Sequence, residues 1–263
     1  MNERQRAYID LAVTLTWREM IVRYKRSLFG VLWALADPAL NVVVYLLVFG
    51  VVLDAGRGVA NYPLFTLAGM LAWLFFSASL EQSASTLLEH APLIRKMAFP
   101  TELLVVGVVI ARGVTLLIGL ALALALAAIA PLGGLAAPAW ERLPYVALGV
   151  VLLLLFTLGI ALVVAAVGLI FGDAQFLVRF GLRVAFYACP IVYPLARIPE
   201  VARPLYELNP LVATLWCFQA FSDPRLPPPS ANAWASSIAC ALIAALAGWW
   251  SFGRLKNVVA ELV

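Results

Sequence analysis

Apolar residues run along this chain in long blocks separated by short charged connections, and the blocks have the length of membrane-crossing helices. The clearest block follows a basic stretch. In Thr16 to Gly50, TWREMIVRYKRSLFGVLWALADPALNVVVYLLVFG, the first third carries Arg18, Arg23, Lys25 and Arg26 among apolar residues. From Val31 to Leu53, a run of 23, Asp37 is the one charged residue. At about 1.5 Å per helical residue that run crosses a hydrocarbon core of roughly 30 Å. Five further blocks follow: Pro63–Leu88, Glu102–Ala130, Tyr145–Phe171, Phe176–Tyr193 and Ala233–Phe252. Backbone polar groups in lipid must be satisfied within the segment, so each block is expected to be a helix. The pattern predicts an all-α integral membrane protein of six transmembrane helices over residues 31–263. The fifth is the shortest and carries Arg179 and Arg183.

The connections are patterned too. In residues 1–30, Tyr8, Leu11, Ala12, Leu15 and Val22 share one side at helical spacing, interrupted by Glu19. This predicts an interfacial helix on the cytoplasmic face, with a plain topogenic basic flank as the alternative. The loop EHAPLIRKMAFPTE, Glu89 to Glu102, has Pro92 where a first helical turn accepts proline and Pro100 where a helix would stop. Leu93, Ile94, Met97 and Phe99 are out of place in a merely solvated loop, so a short helix lying on the cytoplasmic face is expected. The connection over about residues 194–232 holds eight of the sixteen prolines. Within it Leu205–Phe221 is apolar but broken at Asn209-Pro210. The pieces are too short to cross, which predicts re-entrant or interfacial helices between spans five and six.

Composition agrees: 64% of residues are hydrophobic and 12% charged, with mean hydropathy +0.99, far above a soluble domain. The net charge of +4 does not point to nucleic acid, because the charges cluster at span ends. With the N-terminus inside, twelve Lys and Arg fall on the cytoplasmic side and five outside, with Arg112 within a span. That asymmetry predicts both termini in the cytoplasm. About thirty mixed, charged residues precede the first block, so no signal peptide is expected. Cys189, Cys217 and Cys240 lack metal-ligand spacing, and Cys189 and Cys240 read as buried small hydrophobes. His90 is the one histidine, and no phosphate-binding glycine loop occurs. No catalytic residue, metal or cofactor is therefore assigned to this chain.

Charges inside spans are costly and mark candidate sites. Asp37, Glu81, Arg112 and Arg183 all fall on the order of 10–15 Å from the cytoplasmic boundary, where two acids and two bases could pair. Structural pairing without substrate contact is an equal alternative. On span five, Arg179, Arg183, Phe186, Tyr187, Pro190 and Tyr193 fall within an arc of about 120°. Guanidinium groups followed by aromatic rings suit an anionic head followed by sugars. Trp33, Asp37, Asn41 and Tyr45 form a similar side on span one, and Trp73 sits near mid-bilayer. Packing is the alternative for each aromatic stripe.

Several stretches together resemble the membrane subunit of bacterial ABC exporters for polysaccharides such as O-antigen, capsule or teichoic acid. They are WREMIVRYKRSLFGVLWALADP (Trp17–Pro38), YPLFTLAGMLAWLFFSASL (Tyr62–Leu80), the LIRKMAFPTE loop, FGDAQ (Phe171–Gln175), CPIVYP ending span five, and LNPL (Leu208–Leu211). The resemblance implies a homodimer of this chain bound to two copies of a separate ATP-binding subunit, with ATP and Mg held there. It places ATPase docking on Arg18, Arg23, Tyr24, Lys25 and Arg26, with Glu89, His90, Pro92, Leu93, Ile94, Arg95 and Lys96. It implies a channel for a lipid-linked glycan in the bacterial inner membrane, lined by spans one and five. Asp37 departs from the family, which places an uncharged residue before the proline. The alternatives are an ABC exporter of small lipophilic compounds, an ion-coupled secondary carrier, which should show paired halves with broken helices, and a scaffold, which would leave the intramembrane charges unexplained.

Overall fold

The computed structural model describes residues 14, 40, 43–96 and 99–262, with side chains through residue 254. The expected interfacial helix, the docking residues Arg18, Arg23, Tyr24, Lys25 and Arg26, and Trp33, Asp37 and Asn41 lie outside the described residues. Of the first expected span, residues 43–45 are α-helical and Leu46–Val52 continue as a π-helix.

Four helical segments among the described residues are long and apolar enough to cross a membrane: Tyr62–Glu89, Glu102–Gly133, Trp140–Ile170 and Ala231–Arg254. Their α-helical parts are α1 (Tyr62–Glu89), α3 (Glu102–Ile129), α4 (Leu143–Ile170) and α8 (Ala231–Leu262), with the short α2 (Ala91–Lys96) after α1. The sequence predicted six crossings, and these four correspond to the second, third, fourth and sixth of them.

α1 starts where Asn61 accepts from the Leu64 N–H at 3.2 Å and Pro63 fills the first turn. Through Phe76 it is apolar on nearly every side, and a helix of that kind belongs inside the bundle. Accordingly 78% of its apolar window is buried, against 28% for α3 and for α8. The outer helices turn Leu117, Ile118, Leu126, Leu242, Ile243 and Leu246 outward, an arrangement suited to a hydrocarbon solvent. Where helices meet, glycines replace side chains. A Cβ at Gly168 of α4 would meet the Ala84 carbonyl of α1 at 2.1 Å. One at Gly159 would meet Ala244 of α8 at the same distance. Close backbone approach of this sort is how helices associate in lipid.

The fifth expected span is shorter than predicted. α5 (Ala174–Tyr187) has 14 residues, about 21 Å of helix, and ends before Tyr193. Pro190 supplies no N–H and pushes Cys189 out of the helical region, so the helix cannot continue. The freed carbonyls are met from far along the chain. Asn209 Nδ2 donates to Ala188 O at 3.1 Å, and Gln219 Nε2 donates to Pro190 O at 3.0 Å and Ile191 O at 2.9 Å. The Tyr62 hydroxyl donates to Val192 O at 2.7 Å. Gly69 leaves the room, since a Cβ there would lie 2.6 Å from Gln219 Nε2. Replacing Gln219 by Leu strands two buried carbonyls at roughly 1–3 kcal/mol each. A lowered thermal midpoint in detergent is the expected result, and an unchanged one would refute the brace.

The Pro-rich connection holds α6 (Arg203–Glu207) and α7 (Leu211–Gln219), broken at Asn209-Pro210 as the sequence predicted. Every residue of α7 is buried, against α1, α4 and α8. Asp223 fixes the same end of the fold. It is 1% exposed, and its carboxylate accepts from Ala60 N at 2.7 Å and Arg225 N at 2.8 Å. Arg142 donates to the carbonyls of Asp223, Pro224 and Leu226. Cys189 and Cys217 are buried and Cys240 half-buried, which fits an inert packing role for the first two.

Candidate functional site

Two helices with very different surfaces face each other across one cleft. On α1, Trp73, Ser77 and Glu81 recur every fourth residue and so form a stripe about 12 Å long. On α5, Arg179, Leu182, Arg183, Phe186 and Tyr187 form the opposing stripe, and Tyr45 closes one end. The cleft holds about 250 Å³.

Its two ends differ in chemistry. At one end Trp73 meets Phe186 edge-on with ring centroids 5.7 Å apart, and Tyr45 lies 5.2 Å from the same ring. Phe186 and Tyr187 are perpendicular at 5.2 Å. Such edge-to-face contacts hold rings in fixed orientations. At the other end stand Glu81 and the two arginines, one helical turn apart. All three are exposed. The single ion pair among the described residues joins Arg225 to Asp223 at 3.6 Å, so Glu81 neutralises neither arginine by direct contact. The cleft thus offers a planar, multi-donor cationic end for phosphate or carboxylate and a flat aromatic end for sugar C–H groups.

Seven residues chosen from sequence therefore line one cleft: Tyr45, Trp73, Glu81, Arg179, Arg183, Phe186 and Tyr187. Two others lie elsewhere. Arg112 is directed at the neighbouring side of α1, where its Nε donates to Gln82 Oε1 at 3.1 Å; of the four charges expected to group, Glu81 and Arg183 line the cleft and Asp37 lies outside the described residues. Tyr193 braces the helix end: its hydroxyl donates to Tyr187 O at 2.8 Å and accepts from Tyr206 at 3.2 Å. Sequence reading missed Ser77 and Leu182. Ser77 was within reach, being four residues from both Trp73 and Glu81.

The second candidate surface is α2. The His90 N–H donates to Thr86 O at 3.1 Å, and its Nδ1 lies 2.9 Å from the same oxygen, ending α1. Leu93 and Ile94 then pack on the core while Glu89, Pro92, Arg95 and Lys96 stay exposed. The helix is anchored by apolar residues and shows its charges outward.

Residues 11–221 match the model of the ABC-2 type transporter membrane family. The chain belongs to that family. Its relatives are named for export and transport. The O-antigen export system permease protein RfbA of Myxococcus xanthus is 36% identical over 225 residues, covering 84% of this chain and 83% of that one. The RfbA protein of Klebsiella pneumoniae is 30% identical, covering 78% and 77%. The polysialic acid transport protein KpsM of Escherichia coli is 26% identical and covers 74% of each. Within this ABC-2 chain the matched region takes in the cleft and α2.

Proposed function

We propose that this chain is the transmembrane subunit of an ATP-driven exporter that moves a lipid-linked polysaccharide, of the O-antigen or capsule class, from the cytoplasm across the bacterial inner membrane. Family membership and relatives named for O-antigen and polysialic acid export support this reading. The observation that carries it is the cleft, where unpaired guanidinium groups lead into aromatic rings.

In this reading two copies of the chain pair with two copies of an ATP-binding subunit, which holds ATP and Mg. Both termini lie in the cytoplasm. Residues 31–53 and α5 with its continuation complete six crossings, and α6–α7 are re-entrant. Residues 1–30 and α2 dock on the ATPase. ATP closure of the partners moves the spans, and it drives export only through the different affinities of ATP and glycan for the two states. Arg112 and Tyr193 support the wall of the channel from behind.

The test is complementation of a strain lacking this subunit, scored by glycan at the cell surface. Arg179→Gln with Arg183→Gln is expected to lower export on the order of tenfold, as loss of charge-assisted hydrogen bonds to an anionic group would, at unchanged protein level. Wild-type export by the double variant would remove the cleft from the path. An exporter of small lipophilic compounds is the other reading. It is favoured by an apolar groove of about 450 Å³ between α1 and α3, lined by Leu64, Leu67, Leu71, Leu122 and Leu126. The same strain separates the two, because a lipophile exporter would not restore surface glycan.

A further inference from the structure

A conduit must bind its cargo and also let it go. Binding that is favourable enough to admit a ligand yet weak enough to release it is a general requirement of permeation. Arg179 and Arg183, without an ion pair and facing a cleft walled by aromatic rings, would alone hold a phosphate-bearing sugar tightly. One opposing feature lies in the same cleft. Glu81 is the carboxylate among its lining residues, exposed, and placed on α1 at the arginine end rather than beside Trp73.

We infer that Glu81 is a specificity-determining counter-charge: it weakens the hold of Arg179 and Arg183 on an anionic sugar so that the cargo is released. This rests on the transport reading of the cleft. The placement has the right sign. A carboxylate in direct contact with the arginines would satisfy their donors and exclude the anion, and no such pair forms. A carboxylate across the cleft leaves the donors free and repels the incoming charge, which is specificity by a built-in repulsive group. Because α1 is the most buried of the long helices, Glu81 is presented from a fixed wall. The ligand class is a phosphate attached to a hexose, the anion at the arginines and the ring towards Trp73 and Phe186. Neutral sugars gain nothing from the change at Glu81.

The experiment measures binding of glucose 1-phosphate to the purified full chain in nanodiscs of zwitterionic lipid, alongside export in the complemented strain. Glu81→Gln is expected to tighten glucose 1-phosphate by roughly three- to thirtyfold, the range for removing one unit charge at an open cleft, and to slow export. Glu81→Asp keeps the charge and is expected to behave as wild type, which separates charge from shape and folding. Unchanged or weaker binding by Glu81→Gln, with binding abolished in Arg179→Gln/Arg183→Gln, overturns the role of Glu81 and leaves the cleft reading standing. Binding that survives loss of both arginines, or a wild-type chain that binds no glucose 1-phosphate, overturns both.

Discussion

Reversing the outward charges of α2, Arg95→Glu together with Lys96→Glu, is expected to cut export on the order of a hundredfold while the folded chain persists at its normal level. Leu93 and Ile94 hold α2 against the bundle, and Arg95 and Lys96 project from it without a role in that packing. Folding should therefore ignore the change. If this surface docks the ATP-binding subunit, reversed charges meet the partner's acidic groups with the wrong sign. Losing one buried charge pair at an interface costs about 2–5 kcal/mol, enough to separate hydrolysis from transport. The checks are surface glycan, ATPase activity of the purified complex and thermal stability of the chain. Export that stays at the wild-type level would take α2 out of the docking surface.

The largest effect on stability is expected from a single methyl group. Gly159→Ala puts a Cβ 2.1 Å from the carbonyl of Ala244, and the neighbouring Gly248 would meet Gly159 O at 2.2 Å. Backbone cannot rotate aside as a side chain would, so α4 and α8 must separate, at about 3 kcal/mol or more, the upper end of the cost of overpacking. Gly113→Ala is the matched control. Its Cβ would meet nothing closer than Leu154 Cδ2 at 3.7 Å, and alanine gains about 1 kcal/mol in helix propensity. Thermal midpoints in detergent should move in opposite directions. Equal midpoints for the two variants would mean that the α4–α8 crossing has slack.

Much of this architecture was legible from the pattern of apolar positions, because each long helix satisfies its own backbone and announces its length. α1 and α3 begin and end within a residue of the predicted blocks. The break at Asn209-Pro210 was legible because proline acts locally. The end of α5 carried the same local signal in Pro190, but the run CPIVYP stays apolar and hid it, and the groups that stabilise its unwinding, Asn209 and Gln219, come about twenty to thirty residues later. The α5 side of the cleft could be read from its own spacing. The α1 side was legible only in part: Glu81 marks it, but a helix apolar through its first half carries no sign there of which neighbour it faces. Arg112 shows the same limit, with its depth inferable and its direction not; it points to Gln82. Asp37, Trp33 and Asn41 lie outside the described residues.

The way α7 is enclosed also orders the birth of the protein. Ser236 and Ser237, on the first turns of α8, donate to Leu208 O and Pro210 O, each at 2.6 Å. They close the backbone on either side of Asn209, and α8 also covers part of α7. Translation delivers α7 before α8, and domains assemble largely in the order they are made. A nascent chain that has emerged only as far as the proline run near residue 229 therefore carries a largely apolar short helix with one wall missing and without the two serine contacts. That half-made stage is where an insertion factor or a quality-control protease would find its handle, and it ends only when the last helix enters the bilayer.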